Sequence, residues 1–79
     1  MRLKNAIIKR IKDILKEENI TQYELFKRTG VSQSTISTLL NGETKTITIS
    51  TIYSICSGMN LDLSEFFDRK YLKNSELED

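Results

Sequence analysis

The sequence has no histidine, no proline and no tryptophan, and its one cysteine is Cys56. Without histidine the chain lacks the commonest acid/base group and the commonest metal ligand. A single cysteine allows neither an internal disulfide nor a plausible zinc site. We therefore expect neither an enzyme nor a bound cofactor, and a small core held by helix packing, with a partner subunit as possible support.

Long hydrophobic runs are also missing. The 79 residues are 38% hydrophobic and 29% charged, which is typical of a soluble globular chain and not of a disordered or membrane-spanning one. The N-terminus mixes apolar and basic residues and never becomes the apolar stretch of a signal peptide, so we expect a cytoplasmic protein that does not contact a membrane. A chain of this length has room for one domain.

The net charge of +1 is unevenly distributed. Residues 1–47 contain nine Lys or Arg against five Asp or Glu, whereas residues 48–79 contain three against six. The first part is therefore near +4 and the second near −3. This asymmetry suggests that the basic part meets a polyanion such as nucleic acid, although scattered surface charge is the simpler alternative.

Apolar periodicity and capping residues predict the first three helices. The first runs from about residue 5 to residue 18, with Ile7, Ile11, Ile14 and Leu15 on its inner face. Its predicted solvent face consists of Lys9, Arg10, Lys12, Asp13 and Lys16. A capping box from Thr21 to Glu24 opens the second helix, which ends at Gly30. Ser32 caps a third helix that ends at Asn41 and Gly42.

The next segment, residues 43–49, alternates β-branched and polar residues as a strand would. An isolated strand has no pairing partner in a helical chain, so Thr48 is predicted to cap a fourth helix instead. Its predicted inner face consists of Ile49, Ile52, Ile55, Cys56 and Met59, and Asn60 ends it. A second capping box, residues 62–65, opens a fifth helix with Leu63, Phe66 and Phe67. The polar extension, residues 68–79, is predicted to fray.

The predicted outer face of the third helix carries short or amide-bearing side chains and no charge. Its members are Gln33, Ser34, Ser37, Thr38 and Asn41. An ordinary solvent face is rich in Lys and Glu, which favour a helix there. Uncharged donors and acceptors are what the base edges of a DNA major groove require.

With these features in place, the sequence resembles the Cro/phage-repressor (XRE) family of helix-turn-helix DNA-binding proteins. The resemblance covers roughly residues 5–67. It rests on Ile20-Thr21-Gln22-Tyr23-Glu24-Leu25, Gly30-Val31-Ser32-Gln33-Ser34-Thr35-Ile36-Ser37, Leu39-Leu40-Asn41-Gly42 and Leu61-Asp62-Leu63-Ser64-Glu65-Phe66-Phe67. It implies an all-α, compact five-helix, lambda-repressor-like domain over residues 1–67. Phe26 departs from the family pattern, which places a small residue between the two helices.

The resemblance also implies roles for individual residues. Gln33, Ser34 and Thr38 fall on base-reading positions, and Ser37 lies beside them. Positions that contact the DNA backbone are occupied by Gln22, Asn41, Lys45 and Thr46. The simpler alternatives are first-turn exposure for Gln22, a plain C-cap for Asn41 and a solvated loop lysine for Lys45.

The implied function is a sequence-specific, double-stranded DNA-binding transcriptional regulator, with repression of phage or mobile-element type as the expected activity. An antitoxin-type autoregulator and a helical protein-interaction module that does not bind DNA are the alternatives. One recognition helix reads only a few base pairs, so we expect a homodimer, at least on DNA, and a near-palindromic operator. Phe67, Tyr71 and Leu72 are the predicted apolar anchors of its interface.

Overall fold

A computed structural model of the protein describes residues 1–78, which form five α-helices and no strand. The helices are Leu3–Glu18 (α1), Gln22–Thr29 (α2), Gln33–Leu40 (α3), Ile49–Gly58 (α4) and Leu63–Phe67 (α5), and two 3₁₀ turns follow at Lys70–Leu72 and Asn74–Glu76. The predicted all-α, five-helix fold is confirmed. None of the helices in this part of the chain is long and apolar enough to cross a membrane.

Hydroxyl side chains begin three of the helices, as the sequence predicts. Thr21, Ser32 and Thr48 each accept a hydrogen bond from the backbone N–H three residues further along, at 3.1 to 3.2 Å. Each bond satisfies an N–H group that the first helical turn leaves without an internal partner. The bond to Thr48 also explains why residues 43–49 do not form a strand: the end of this segment is needed to cap α4.

The core lies between the helices and draws on all five of them. Its buried members are Ile7, Ile8, Ile11, Ile14, Leu25, Ile36, Leu39, Leu40, Ile52, Ile55, Cys56 and Phe66. The prediction that Ile49 belongs to it is wrong, because this side chain is 62% exposed. Ile49 lies at the edge of the buried stripe of α4, on the side that it shares with the exposed Tyr53 one turn later.

The predicted position of Arg10 is also wrong. The periodicity of α1 predicts a solvent position, but the side chain is 2% exposed. Its Nε donates to the carbonyl oxygen of Phe66 at 2.7 Å and its Nη2 to that of Glu65 at 3.3 Å. Its Nη1 lies 3.5 Å from the carboxylate of Glu17. The last carbonyl groups of any α-helix lack donors within the helix, and Arg10 of α1 supplies donors to two of those of α5.

The glycine inside α4 marks a close approach between helices. A Cβ atom added to Gly58 would lie 2.5 Å from the carbonyl oxygen of Arg28 and 2.7 Å from the Cα atom of Thr29. Both atoms belong to the backbone of α2, which cannot move aside as a flexible side chain could. The absence of a side chain at Gly58 therefore sets how closely α4 packs against the end of α2.

The extension beyond α5 differs from the frayed tail that the sequence predicts. Residues 68–78 contain the two 3₁₀ turns, and the first turn packs against α1, whereas residue 79 lies outside the described residues. The hydroxyl of Tyr71 donates to the Asp13 carboxylate at 2.8 Å, and Leu72 packs against the core. The Met1 ammonium group lies 3.0 Å from the carboxylate of Glu78, which ties the two ends of the described chain together. A few apolar and polar contacts are enough to hold this polar segment.

Candidate nucleic-acid interface

A hydrogen-bonded turn ends α2 and leads into α3. Gly30 ends α2 in the left-handed conformation, with φ 76°, and its N–H donates to the carbonyl oxygen of Phe26 at 2.9 Å. The next N–H, that of Val31, donates to the Thr29 hydroxyl at 3.1 Å. That hydroxyl in turn donates to the carbonyl oxygen of Leu25 at 2.7 Å. These bonds end α2 and hold the turn as far as Val31, two residues before α3 begins at Gln33.

Phe26, the bulky residue at the crossing of α2 and α3, is only partly buried. Its ring packs against the exposed ring of Tyr23, with the centroids 5.9 Å apart and the planes tilted by 48°. Part of the ring therefore faces another side chain of α2 rather than filling the space between the helices. This arrangement accommodates a large residue where the family pattern has a small one.

The outer face of α3 is exposed as predicted. Ile36, Leu39 and Leu40 are buried against the core, whereas the four predicted base-reading residues are all exposed. These four are Gln33, Ser34, Ser37 and Thr38. Since α3 contains no charged residue, this face offers neutral donors and acceptors only.

The four side chains differ in how free they are to bind another molecule. The Ser34 hydroxyl lies 3.3 Å from that of Ser32, and the Ser37 hydroxyl accepts from the Asn41 amide at 3.4 Å. Within residues 1–78, the side chains of Gln33 and Thr38 form no hydrogen bond. These two residues therefore have their full hydrogen-bonding capacity available for a ligand.

The predicted backbone-contacting residues lie at the start of α2 and after the end of α3. Gln22 is the exposed first residue of α2, where N–H groups without helical partners favour an anion. Asn41 is exposed and is also the C-cap of α3, and its contact with the DNA backbone remains a prediction. Lys45 and Thr46 are exposed on the loop between α3 and α4.

A groove between α1 and the end of α3 brings two lysines close to Asn41, and the sequence did not indicate these lysines as DNA contacts. It is lined by Asn5, Ile8, Lys9, Lys12, Asp13, Leu40, Asn41 and Gly42. Because this groove joins segments about thirty residues apart, no local pattern of the sequence could have revealed it. Lys9 and Lys12 are exposed beside Asn41, which makes them candidates for contact with a polyanion.

The two lysines differ in their electrostatic surroundings. The Nζ atom of Lys9 lies 3.4 Å from the Asp13 carboxylate and 4.9 Å from the ring centroid of Tyr71. Burial alone would raise the pKa of Asp13, but the hydrogen bond from Tyr71 and the charge of Lys9 outweigh it and lower the pKa. Asp13 is therefore ionised and partly neutralises Lys9, whereas Lys12 forms no ion pair within residues 1–78.

The three residues predicted as anchors of a dimer interface have contacts inside the chain. Phe67 packs edge-on against Phe66, with ring centroids 5.0 Å apart, and Leu72 lies against the core. Burial and the hydrogen bond to Asp13 raise the pKa of Tyr71 to about 12, so its hydroxyl stays a donor at neutral pH. All three side chains are half-buried, and their use between two copies of the chain remains a prediction.

Two helices joined by a short turn, with an exposed face of neutral hydrogen-bonding groups on the second, are the arrangement of a helix-turn-helix DNA-binding domain. The family model for the Cro/C1-type HTH DNA-binding domain matches residues 10–70, and the chain belongs to this family. It is therefore a DNA-binding protein of the transcription-regulator class, and its partner is double-stranded DNA. No curated protein and no solved structure gives a significant match to the chain.

Proposed function

We propose that the protein is a sequence-specific repressor of phage or mobile-element type, which binds a near-palindromic operator as a homodimer. The outer face of α3 carries this proposal, because Gln33 and Thr38 are exposed and unpaired within the described chain. A glutamine amide can pair with both the N6 and N7 positions of adenine, and a threonine offers a hydroxyl and a methyl group to base edges. Both contacts depend on the identity of the base.

Charge supports an electrostatic contribution that does not depend on sequence. Residues 1–47 are near +4, and Lys12 and Lys45 are exposed on segments that flank α3. Each phosphate that such a cation neutralises releases condensed counterions, so affinity should fall as salt rises. The basic part would hold the protein on any duplex, and α3 would select the site.

A homodimer follows from the small number of base pairs that one helix reads. Each matched base pair contributes roughly 1–3 kcal/mol, which is too little for one copy to select a single site in a genome. Two copies related by a two-fold axis would place their α3 helices about 34 Å apart, one turn of DNA. The half-sites should then be centred about 10 base pairs apart.

Repression needs nothing beyond occupancy of the operator. A protein that covers one face of the duplex excludes other proteins from the same base pairs. Activation would need a further surface that contacts the transcription machinery. We therefore place the operator across a promoter, where binding alone lowers transcription.

Selection of bound sites from a random duplex library tests the proposal. We expect an enriched motif with two inverted half-sites, and an affinity that falls steeply between two salt concentrations. A reporter with the selected site across its promoter should lose expression when the protein is produced. No enrichment at low salt would contradict sequence-specific binding, and increased reporter expression would contradict repression.

A further inference from the structure

The groove between α1 and the end of α3 contains one acidic side chain among its hydrogen-bond donors. Its cations are Lys9 and Lys12, and Asn5 and Asn41 add amide groups. Asp13 is the single carboxylate among the residues that line this groove in the described chain. A surface that binds a polyanion gains from cations and loses from a carboxylate. Asp13 therefore opposes the attraction that the rest of the groove exerts on phosphates.

Two contacts hold the Asp13 carboxylate in place. The hydroxyl of Tyr71, in the C-terminal extension, donates to its Oδ2 atom at 2.8 Å, and the Nζ atom of Lys9 lies 3.4 Å from the same oxygen. The side chain of Asp13 is 34% exposed. Because the bond from Tyr71 joins residues 58 positions apart in the chain, packing of the extension on α1 fixes this carboxylate, which an open surface would leave free to rotate.

The ammonium group of Lys9 is held by the same two residues. Its Nζ atom contacts the Asp13 carboxylate and lies 4.9 Å from the ring centroid of Tyr71. Both a carboxylate and an aromatic face attract a cation. Lys12 lines the same groove and forms no ion pair within residues 1–78. The two lysines of this groove therefore differ in how far their charge is available to a ligand.

Stability gives little reason for a charge at position 13. An exposed ion pair contributes little to the free energy of unfolding, and a lysine four residues before an aspartate is the less favourable order on a helix. The bond from Tyr71 does not need the charge either, because a neutral amide oxygen also accepts a hydrogen bond. What the negative charge of Asp13 changes most is the electrostatic potential of the groove.

We propose that Asp13 withholds Lys9 from the DNA backbone and so lowers the affinity of the protein for a duplex of any sequence. A phosphate that drew Lys9 away would lie beside a carboxylate that Tyr71 keeps in the groove. Repulsion between the two anions offsets the attraction of the ammonium group. The inference rests on one part of the proposed function, the contact of this groove with the phosphate backbone.

A lower general affinity matters because most of the DNA that the protein meets is not its operator. A contact to phosphate strengthens binding to every sequence alike, since it reads no base. A genome offers a large excess of such competing sites. With one phosphate contact fewer, the protein leaves them sooner, and the discrimination that we assign to Gln33 and Thr38 is unchanged.

The decisive variant is Asp13→Asn, which removes the charge and keeps an oxygen that accepts from Tyr71. On a random duplex we expect the affinity to rise about three- to tenfold at low salt. The slope of log affinity against log salt should steepen by about 1, because one more phosphate is neutralised. Glu76→Gln is the matched control: it removes the same charge from an exposed residue of the extension that does not line the groove, and should leave the slope unchanged.

A second substitution shows whether Asp13 acts through Lys9. In the unchanged protein Lys9→Gln should alter the slope little, whereas Lys12→Gln should reduce it by about 1. In the Asp13→Asn background Lys9→Gln should remove the gain in affinity. A gain that survives undiminished in this double variant would show that the carboxylate acts without Lys9, and would overturn the inference.

Two further results would overturn it. One is an affinity and a slope that Asp13→Asn leaves unchanged in a folded protein. The other is an equal increase in Asp13→Asn and Glu76→Gln, because net charge alone would then explain the effect. The proposed function fails separately, in the selection of operator sites. An enriched motif with no effect of Asp13→Asn contradicts this inference alone. Stronger binding of Asp13→Asn to random duplex with no enriched motif contradicts only sequence-specific binding.

Discussion

The outer faces of α3 and α4 are both exposed and both uncharged, yet they differ in chemistry. The face of α3 carries amide and hydroxyl groups, with Gln33 and Thr38 available for hydrogen bonds. The face of α4 carries two large apolar side chains, Ile49 and Tyr53, each more than half exposed. Base edges are read by hydrogen bonds, whereas a protein partner gains most from buried apolar area. Lack of charge is common to both faces, but the face of α3 offers hydrogen bonds and the face of α4 offers apolar area.

The prediction with the largest expected effect concerns Arg10, which attaches α5 to α1. Arg10→Met removes the donors to the carbonyl oxygens of Phe66 and Glu65. The Glu65 oxygen still accepts from the Asp68 N–H at 3.3 Å, but the buried Phe66 oxygen loses the donor that Arg10 supplies. We expect the free energy of unfolding to fall by about 3 kcal/mol, measured by urea denaturation. Lys12→Met, an exposed change on the same helix, should alter it by less than about 0.5 kcal/mol. Equal effects of the two changes would contradict a structural role for Arg10.

The next prediction tests whether α2 and α4 are held at a fixed distance. In Gly58→Ala the new Cβ atom would meet the backbone of Arg28 and Thr29. Overpacking of this kind exceeds the gain in helix propensity, and we expect a loss of about 2 kcal/mol in the free energy of unfolding. Ser57→Ala, the exposed neighbour, should leave stability nearly unchanged or raise it slightly. A stabilised Gly58→Ala variant would show that α4 can move away from α2 at little cost.

The sequence alone predicts the features of the fold that depend on neighbouring residues and not those that depend on contacts between helices. The ends of α2, α3 and α4 depend on caps within a few residues, and Thr21, Ser32 and Thr48 were all identified. The sequence predicts the wrong face for Arg10, whose partners lie on another helix, and for Ile49, which lies at the edge of the buried stripe of α4. Arg10 bonds to a carbonyl group 56 residues away, which no local periodicity can indicate.

The candidate site also has a part that the local sequence predicts and a part that depends on packing between distant segments. The exposed residues of α3 follow from helical periodicity, so Gln33 and Thr38 could be named from the sequence. The lysines of α1 beside Asn41 could not be named from the sequence, because the groove forms only when α1 packs against the end of α3. Contacts inside the chain at Tyr71 and Leu72 were missed for the same reason.

The third prediction tests base reading by the face of α3. Gln33→Ala should cost roughly 1–3 kcal/mol in binding to the selected operator and little on random DNA, because a base contact is lost. Gln22→Ala should weaken binding to both DNAs alike, since its expected contact is to the backbone. Competition titrations with the operator and with random duplex measure both quantities. An equal loss on the two DNAs for Gln33→Ala would rule out its role in base reading.

The smallest expected effect concerns Lys45, which lies between the two faces on the loop that joins α3 to α4. If its ammonium group neutralises one phosphate, Lys45→Gln should weaken binding on every sequence and reduce the slope of log affinity against log salt by about 1. Lys12→Gln should do the same if the groove beside Asn41 meets the backbone. Lys73→Gln, an exposed change in the C-terminal extension, should leave the slope unchanged. The salt titration therefore tests whether the loop between α3 and α4 and the groove beside Asn41 both meet the phosphate backbone.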